Sequence, residues 1–335
     1  MAIFSKVGEN SLMVFDAILG RFLELPGIWH FRMRRSARIR MEERLELELL
    51  ELERLELERL EKSYRVGSFL IELSPGHLLH EYQSVHPFYD KFPLFITKFL
   101  PEATYVIEVG ANVGDTLASM VTGNSALNYI CIEADSDFFQ YLDTNIKSMQ
   151  SLCKFNVEAL NVMVAQEIKY RSLEGLNGTK KGIEALLDDN FLSTVSLDCL
   201  FEKRENSTVS LLVVDVDGFD FDVIKSARNI IELSAPILFF ESTPLTEQNT
   251  EKYLKLMGDL ESTGYLHWTV FDNFGNLILH DVPREIAAQV LIYSLIQNLG
   301  KGTRSIWYLD IYCCTEKYLN EYENSIIEYK KFMSN

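Results

Sequence analysis

Four short apolar segments of the sequence end in acids: Glu108 just before Gly110, Glu133, the pair Asp215 and Asp217, and Glu241. In an open α/β sheet the ligand site lies beyond the carboxyl ends of the strands, so these acids are expected to converge on one edge. Gathered there they repel one another, which costs stability unless something cationic or hydrogen-bonding occupies the site. A sulfonium group, a divalent metal or a hydroxyl-rich substrate would each meet that need.

The organising stretch is Tyr105-Val-Ile-Glu-Val-Gly110-Ala-Asn112-Val-Gly114-Asp115-Thr116. Its first five residues read as a strand buried on both faces. Gly110 and Gly114 bracket a turn in which residues without a Cβ allow a sharp bend and close approach to a ligand. Asp115-Thr116 then opens a helix, whose first N–H groups lack intrahelical partners. About twenty residues on, by the usual spacing of a nucleotide-binding unit, Tyr129 to Glu133 reads as a second strand ending in an acid placed to accept ribose hydroxyls. The turn is not the full Gly-x-Gly-x-x-Gly fingerprint, but with the acid in place it points to a nucleoside-bearing ligand.

The elements that must position these groups alternate. A helix over 137–149, a strand over 156–165, the central strand Val209 to Val216, a helix over 221–231 and the strand Pro236 to Phe240 imply a mostly parallel, doubly wound α/β sheet. A helix over 246–263 precedes two strands, 265–271 and 277–279, joined by the turn Asp272 to Asn276, and Trp307 to Cys313 adds a last strand before a charged C-terminal helix. The sheet therefore ends antiparallel. Asp220 or Asp222 is expected to cap the helix after the Asp-Val-Asp-Gly block. A helix over 90–99 precedes the first strand, which leaves His86 and Tyr89 as candidates near the site. His77 and His80 have i, i+3 spacing but no acidic or cysteine partner nearby, so no metal is assigned to them.

A net charge of −17 over 335 residues argues against a general nucleic-acid binder. Five cysteines without Cys-x-x-Cys spacing read as reduced, mostly packed thiols. No span or cleaved signal is evident, so the expected compartment is the cytoplasm. Residues 1–31 form an amphipathic segment. Residues 32–64, basic and then rich in Leu, Glu and Arg, read as a coiled coil or helical hairpin for self-association. The arginines from Arg32 to Arg44, beside apolar residues, suit a peripheral contact of residues 1–44 with the inner face of a membrane, as an alternative to packing on a protein partner. Residues 65–335 form the main domain.

The run Val106-Ile-Glu-Val-Gly-Ala-Asn-Val-Gly-Asp115, the acid-ended Ile132-Glu133-Ala134-Asp135, Val195-Ser-Leu-Asp198 and above all Leu212-Val-Val-Asp215-Val-Asp217-Gly218-Phe219-Asp220 with Val223-Ile-Lys-Ser-Ala227 resemble the FkbM family of S-adenosylmethionine-dependent methyltransferases. The resemblance covers roughly residues 89–314. It departs from the usual pattern in having Asp217 where Glu is common and Glu108 where Asp is common, which keeps both carboxylates. It implies a class I methyltransferase fold, S-adenosylmethionine as cofactor, and O-methylation of a hydroxyl on a sugar or natural-product acceptor. It would place Glu108, Gly110, Asn112 and Gly114 around the methionine portion, Glu133 on the ribose, and Ala134 and Asp135 near the adenine. Asp215 and Asp217 would face the methyl-transfer centre with Glu241 one strand over, and a base would come from Asp215 or Asp217 before His86. Two rivals stand beside it. A metal-dependent glycosyltransferase would use Asp215-Val-Asp217 as an Asp-x-Asp motif, and a non-catalytic assembly protein would use the coiled coil.

Overall fold

The computed structural model describes residues 63–334, apart from 167–168, 176–179, 185–191, 203, 205–206 and 301–304. The expected amphipathic and coiled-coil segments lie almost wholly outside the described residues. Described chain begins with the antiparallel pair β1 (Ser63–Val66) and β2 (Phe69–Glu72), then two short helices, α1 (Leu79–Val85) and α2 (Phe92–Thr97). The βα alternation follows: β3 (Tyr105–Val109), α3 (Asp115–Gly123), β4 (Asn128–Ile132), α4 (Ser136–Leu152) and β5 (Asn156–Leu160). After the short strands β6 (Met163–Val164), β7 (Tyr170–Glu174), β8 (Lys181–Glu184) and β9 (Thr194–Val195) come α5 (Leu197–Phe201), β10 (Val209–Val214), α6 (Asp220–Lys225), α7 (Arg228–Ser234) and β11 (Ile237–Ser242). The chain finishes with α8 (Glu247–Ser262), β12 (His267–Asp272), β13 (Leu277–Val282), α9 (Arg284–Leu299), β14 (Leu309–Cys314) and α10 (Leu319–Met333).

Eight strands form the main sheet in the order β13-β12-β14-β11-β10-β3-β4-β5. The five from β11 to β5 are mutually parallel, and β14 runs antiparallel between β11 and β12. This is the expected doubly wound, mostly parallel α/β architecture with an antiparallel end. All six side chains of β10 are buried, as a central strand covered on both faces requires. One face packs α2, α3, α4 and α10 over Val106, Val213, Phe239 and Tyr312. The other packs α5 to α9 over Ile107, Leu212, Leu238 and Ile311. After β3 the chain winds outward through β4 and β5, then returns to build β10 and β11 on the other side. The crevice between β3 and β10 is therefore the switch point where such sheets bind ligands.

Several elements differ from the sequence reading. The strand expected over 156–165 breaks at Asn161, whose side-chain amide donates to the carbonyls of Glu133 (2.8 Å) and Ala134 (3.2 Å), and β6 pairs with β9 instead of continuing the sheet. The helix expected over 221–231 divides because Ser226 turns inward: its hydroxyl donates to the Val223 carbonyl and accepts the Leu197 N–H, so α5 docks at the break. Helix α9 had no counterpart in that reading. Among the described residues no helix is long and apolar enough to cross a membrane.

Candidate active site

The loop from β3 to α3 is tied to the end of β4. The N–H groups of Gly110 and Ala111 both donate to the Ile132 carbonyl, at 2.9 and 3.0 Å. Gly110 has φ +90°, and a Cβ there would stand 1.7 Å from the Asp215 carbonyl oxygen, so this position admits no side chain. The backbone at Asn112 is also left-handed, φ +46°, which turns its N–H toward Glu133. Glu133 Oε2 accepts that N–H at 2.8 Å and Oε1 accepts the Asp135 N–H at 2.7 Å. The carboxylate is thereby held in one orientation and keeps lone-pair capacity for a ligand. Burial pushes Glu133 up to about 7, against the backbone N–H groups of Asp135, Asn112 and Ala134 that pull it down.

These groups line a cleft that is part polar and part apolar. Gly110, Asn112, Glu133, Asp215 and Asp217 form the polar part. Ile132, Ala134, Phe138, Met163, Val164 and Val223 form the apolar part of its lining, on which a heterocycle can be buried. Asp135 lies outside the lining: it caps α4 through the N–H groups of Asp137 and Phe138, at 3.0 and 3.1 Å, and pairs with Lys180 Nζ at 2.7 Å. Lys180 itself lines the cleft and lies 5.1 Å from the centre of the Phe138 ring.

Next to the cleft the strand ends are acidic. Asp215 opens onto the cleft, yet the surrounding wall and the charges of Asp217 and Asp115 push its carboxyl up to about 7. Asp217 follows in a left-handed conformation, φ +54°. Asp220 does not cap α6; its carboxylate accepts the N–H groups of Val216 (3.3 Å) and Gly218 (3.2 Å) and the Tyr253 hydroxyl (3.3 Å), closing the Asp-Val-Asp-Gly turn. Asp222 is likewise used inside the fold, accepting the Gln166 N–H at 3.0 Å.

Of the residues singled out in the sequence, Gly110, Asn112, Glu133, Ala134, Asp215 and Asp217 share the cleft. Glu108 and Glu241 sit with Asp215 in an adjoining chamber. Gly114 forms the N-cap of α3 and packs toward Leu142, so it shapes the turn from outside the cleft. His86 is removed from both cavities and stacks on Phe274 with ring centres 3.7 Å apart. Among the described residues no three His, Cys, Asp or Glu side chains are arranged to hold a metal ion. Sequence reasoning missed Asp90, Asp310, Phe138 and Lys180. Asp310 had a usable signal, because an acid near the start of an antiparallel strand falls on the carboxyl edge of its parallel neighbours.

Residues 108–266 match the family described as Methyltransferase FkbM domain. Over that stretch the chain is similar to the FkbM methyltransferase domain. That match spans β3 through the end of α8 and so includes both the Gly110 loop and the Asp215 turn. Among solved structures, the methyltransferase FkbM from Methylobacillus flagellatus is 12% identical, with 70% of this chain and 51% of that chain covered and a TM-score of 0.36. A SAM-dependent methyltransferase from Agrobacterium tumefaciens is 9% identical, over 74% of this chain and 66% of that one, with a TM-score of 0.40. The plantazolicin methyltransferase BamL, solved with a triazolic desmethylPZN analog and SAH, is 8% identical over 71% and 86%, with a TM-score of 0.38. No curated protein matches the sequence significantly.

Proposed function

We propose that the chain is an S-adenosylmethionine-dependent O-methyltransferase acting on a hydroxyl of a sugar or related natural product. The observation that carries this reading is the Glu133 carboxylate, buried beside the Gly110 loop and fixed by two backbone N–H groups with lone pairs left over. Such a carboxylate accepts a vicinal diol, as a ribose presents. The apolar lining at Ile132, Phe138 and Val164 suits an adenine, and the passage past Gly110 to Asp215 fits the amino-acid arm and the sulfonium. The bound cofactor supplies an electrophilic methyl group.

The chain's own part is to hold the acceptor in line, exclude water and take a proton. Asp215, with its pKa raised to about 7, is poised to act as base near neutral pH. Asp215 would take the proton of the acceptor hydroxyl as that oxygen receives the methyl group the cofactor would supply. Asp217 and Phe219 border the same point of the cleft and would orient the acceptor.

The test is isothermal titration of the full-length protein with S-adenosylmethionine and S-adenosylhomocysteine. Micromolar binding is expected, weakened by at least about tenfold, roughly 1.4 kcal/mol, in Glu133→Ala. Glu133→Gln, which keeps an acceptor for the Asn112 N–H, separates loss of the charge from collapse of the loop. A nucleotide sugar with manganese is the competing ligand: its metal-dependent binding, with the sulfonium pair inert, would replace this reading with the glycosyltransferase one.

A further inference from the structure

The chamber beside the donor cleft is built on one face of the sheet at its carboxyl edge. Glu241 and Asp310 lie directly opposite each other on the antiparallel pair β11 and β14. Asp215 extends β10 at the same level, and Glu108 stands on β3 opposite Val213. Asp90, left-handed at φ +54° just before α2, comes down from above. Five carboxylates thus line one small cavity, over Phe239 and Pro93, and no lysine, arginine or histidine lines it. Like charges directly across a strand pair are destabilising, so the fold maintains an arrangement that works against its own stability.

An acidic layer alone would say little. Here Glu241 adds a separate fact: it is only 7% exposed, and its Oε1 has no hydrogen-bond partner. A buried carboxylate oxygen left without a donor is costly, and Glu241 is one of the residues that line the chamber. Whatever fills that space must therefore donate hydrogen bonds. A carboxylate or phosphate is excluded by repulsion. A neutral hydroxyl would donate one bond and leave the charge uncompensated. A metal lacks a converging ligand set among the described residues. An ammonium brings three donors and a positive charge in a compact group.

The chamber shares Asp215 and Val109 with the donor cleft, so a group bound in it lies next to the transfer point. We propose that the acceptor is an amino alcohol, of the kind an amino sugar presents, whose ammonium is anchored by the cross-strand pair Glu241 and Asp310 while a neighbouring hydroxyl meets Asp215. This rests on the methyltransferase reading and adds a substrate class to it. Burial and the neighbouring acids hold Glu241 and Asp310 well above the usual carboxylate range.

The experiment uses full-length protein saturated with S-adenosylhomocysteine, at constant ionic strength, titrated with ethanolamine against ethylene glycol and with glucosamine against glucose. Each amine is expected to bind at least about tenfold more tightly than its neutral counterpart. Glu241→Gln and Asp310→Asn should abolish that preference while leaving S-adenosylhomocysteine affinity unchanged. Amines and neutral counterparts that behave alike, whether both bind or neither does, would overturn the proposal, as would magnesium or calcium displacing the amine. Failure of S-adenosylhomocysteine itself to bind would sink the methyltransferase reading first; normal cofactor binding without amine preference would sink this inference alone. Both variants relieve repulsion, so a folded protein is expected, and thermal unfolding of each variant checks it.

Discussion

Two glycines separate two physical costs at the scale of single residues. Gly76 and Gly110 both have positive φ, but a Cβ at Gly76 would meet nothing within 4 Å, whereas at Gly110 it would strike the Asp215 carbonyl. Gly76→Ala is expected to cost about 1 kcal/mol of backbone strain, and Gly110→Ala at least about 3 kcal/mol, measured by urea unfolding. The Gly110 variant should also lose S-adenosylhomocysteine binding, because the loop and the Asp215 turn must part. Asp215 gives a pH prediction. A base works when deprotonated, so single-turnover methyl transfer should rise with pH through about 7 and fall away below it. In Asp215→Asn that inflection should vanish along with most of the activity. Gly110 and Glu133 were legible in the sequence because a glycine turn and an acid at fixed spacing are local signals. Asp90 was not, since its left-handed backbone and its approach to the strand ends come from tertiary packing.

At the scale of elements, the donor loop is braced from a distance. Asn145, fully buried on α4, accepts the Glu72 N–H and donates to the carbonyls of Glu72 and Val113, each at 2.8 Å. One side chain therefore fastens β2 and the Gly110 loop to the same helix. Asn145→Ala strands these groups inside the protein and is expected to cost about 2–4 kcal/mol by urea unfolding, and to weaken cofactor binding without touching the cleft. Strand and helix order were readable wherever apolar periodicity was clean, as at Tyr105–Val109, which the structure reproduces residue for residue. Helix α9 escaped because its apolar residues surround it: Ala287 and Leu291 are buried, while Ile286, Tyr293 and Ile296 are exposed. It also starts at Pro283 without a side-chain cap, so neither face nor boundary announced it. The acid edge was read from β3, β4, β10 and β11, but Asp310 joins it only because β14 inserts between β11 and β12, a non-local pairing that no stretch of sequence encodes by itself.

For the whole molecule, buried carboxylates reverse the usual pH trend. Glu133 is raised to about 7, and burial also raises Glu108, Asp90, Glu241 and Asp310. Between the ordinary carboxylate range near 4 and these folded values, the native state binds more protons than the unfolded chain. Stability is therefore greatest at the acidic end of that window and falls as pH rises through about 7. Thermal unfolding without ligand should show a higher midpoint at about pH 6 than at about pH 8. The slope should flatten in Glu241→Gln and Asp310→Asn, which distinguishes this chamber from the general repulsion of a chain with net charge −17.

The place of β14 in the sheet also sets an order of assembly. It is the last strand to be synthesised, yet it lies between β11 and β12, made earlier. A chain emerging from the ribosome can close β3, β4, β5, β10 and β11 around the donor cradle while β11 and β12 still wait with open edges. Asp310 completes the acidic wall only when the final strand slides in. Translation that stops before residue 309 would thus yield a protein with unpaired strand edges in the middle of its sheet, primed to pair with other chains.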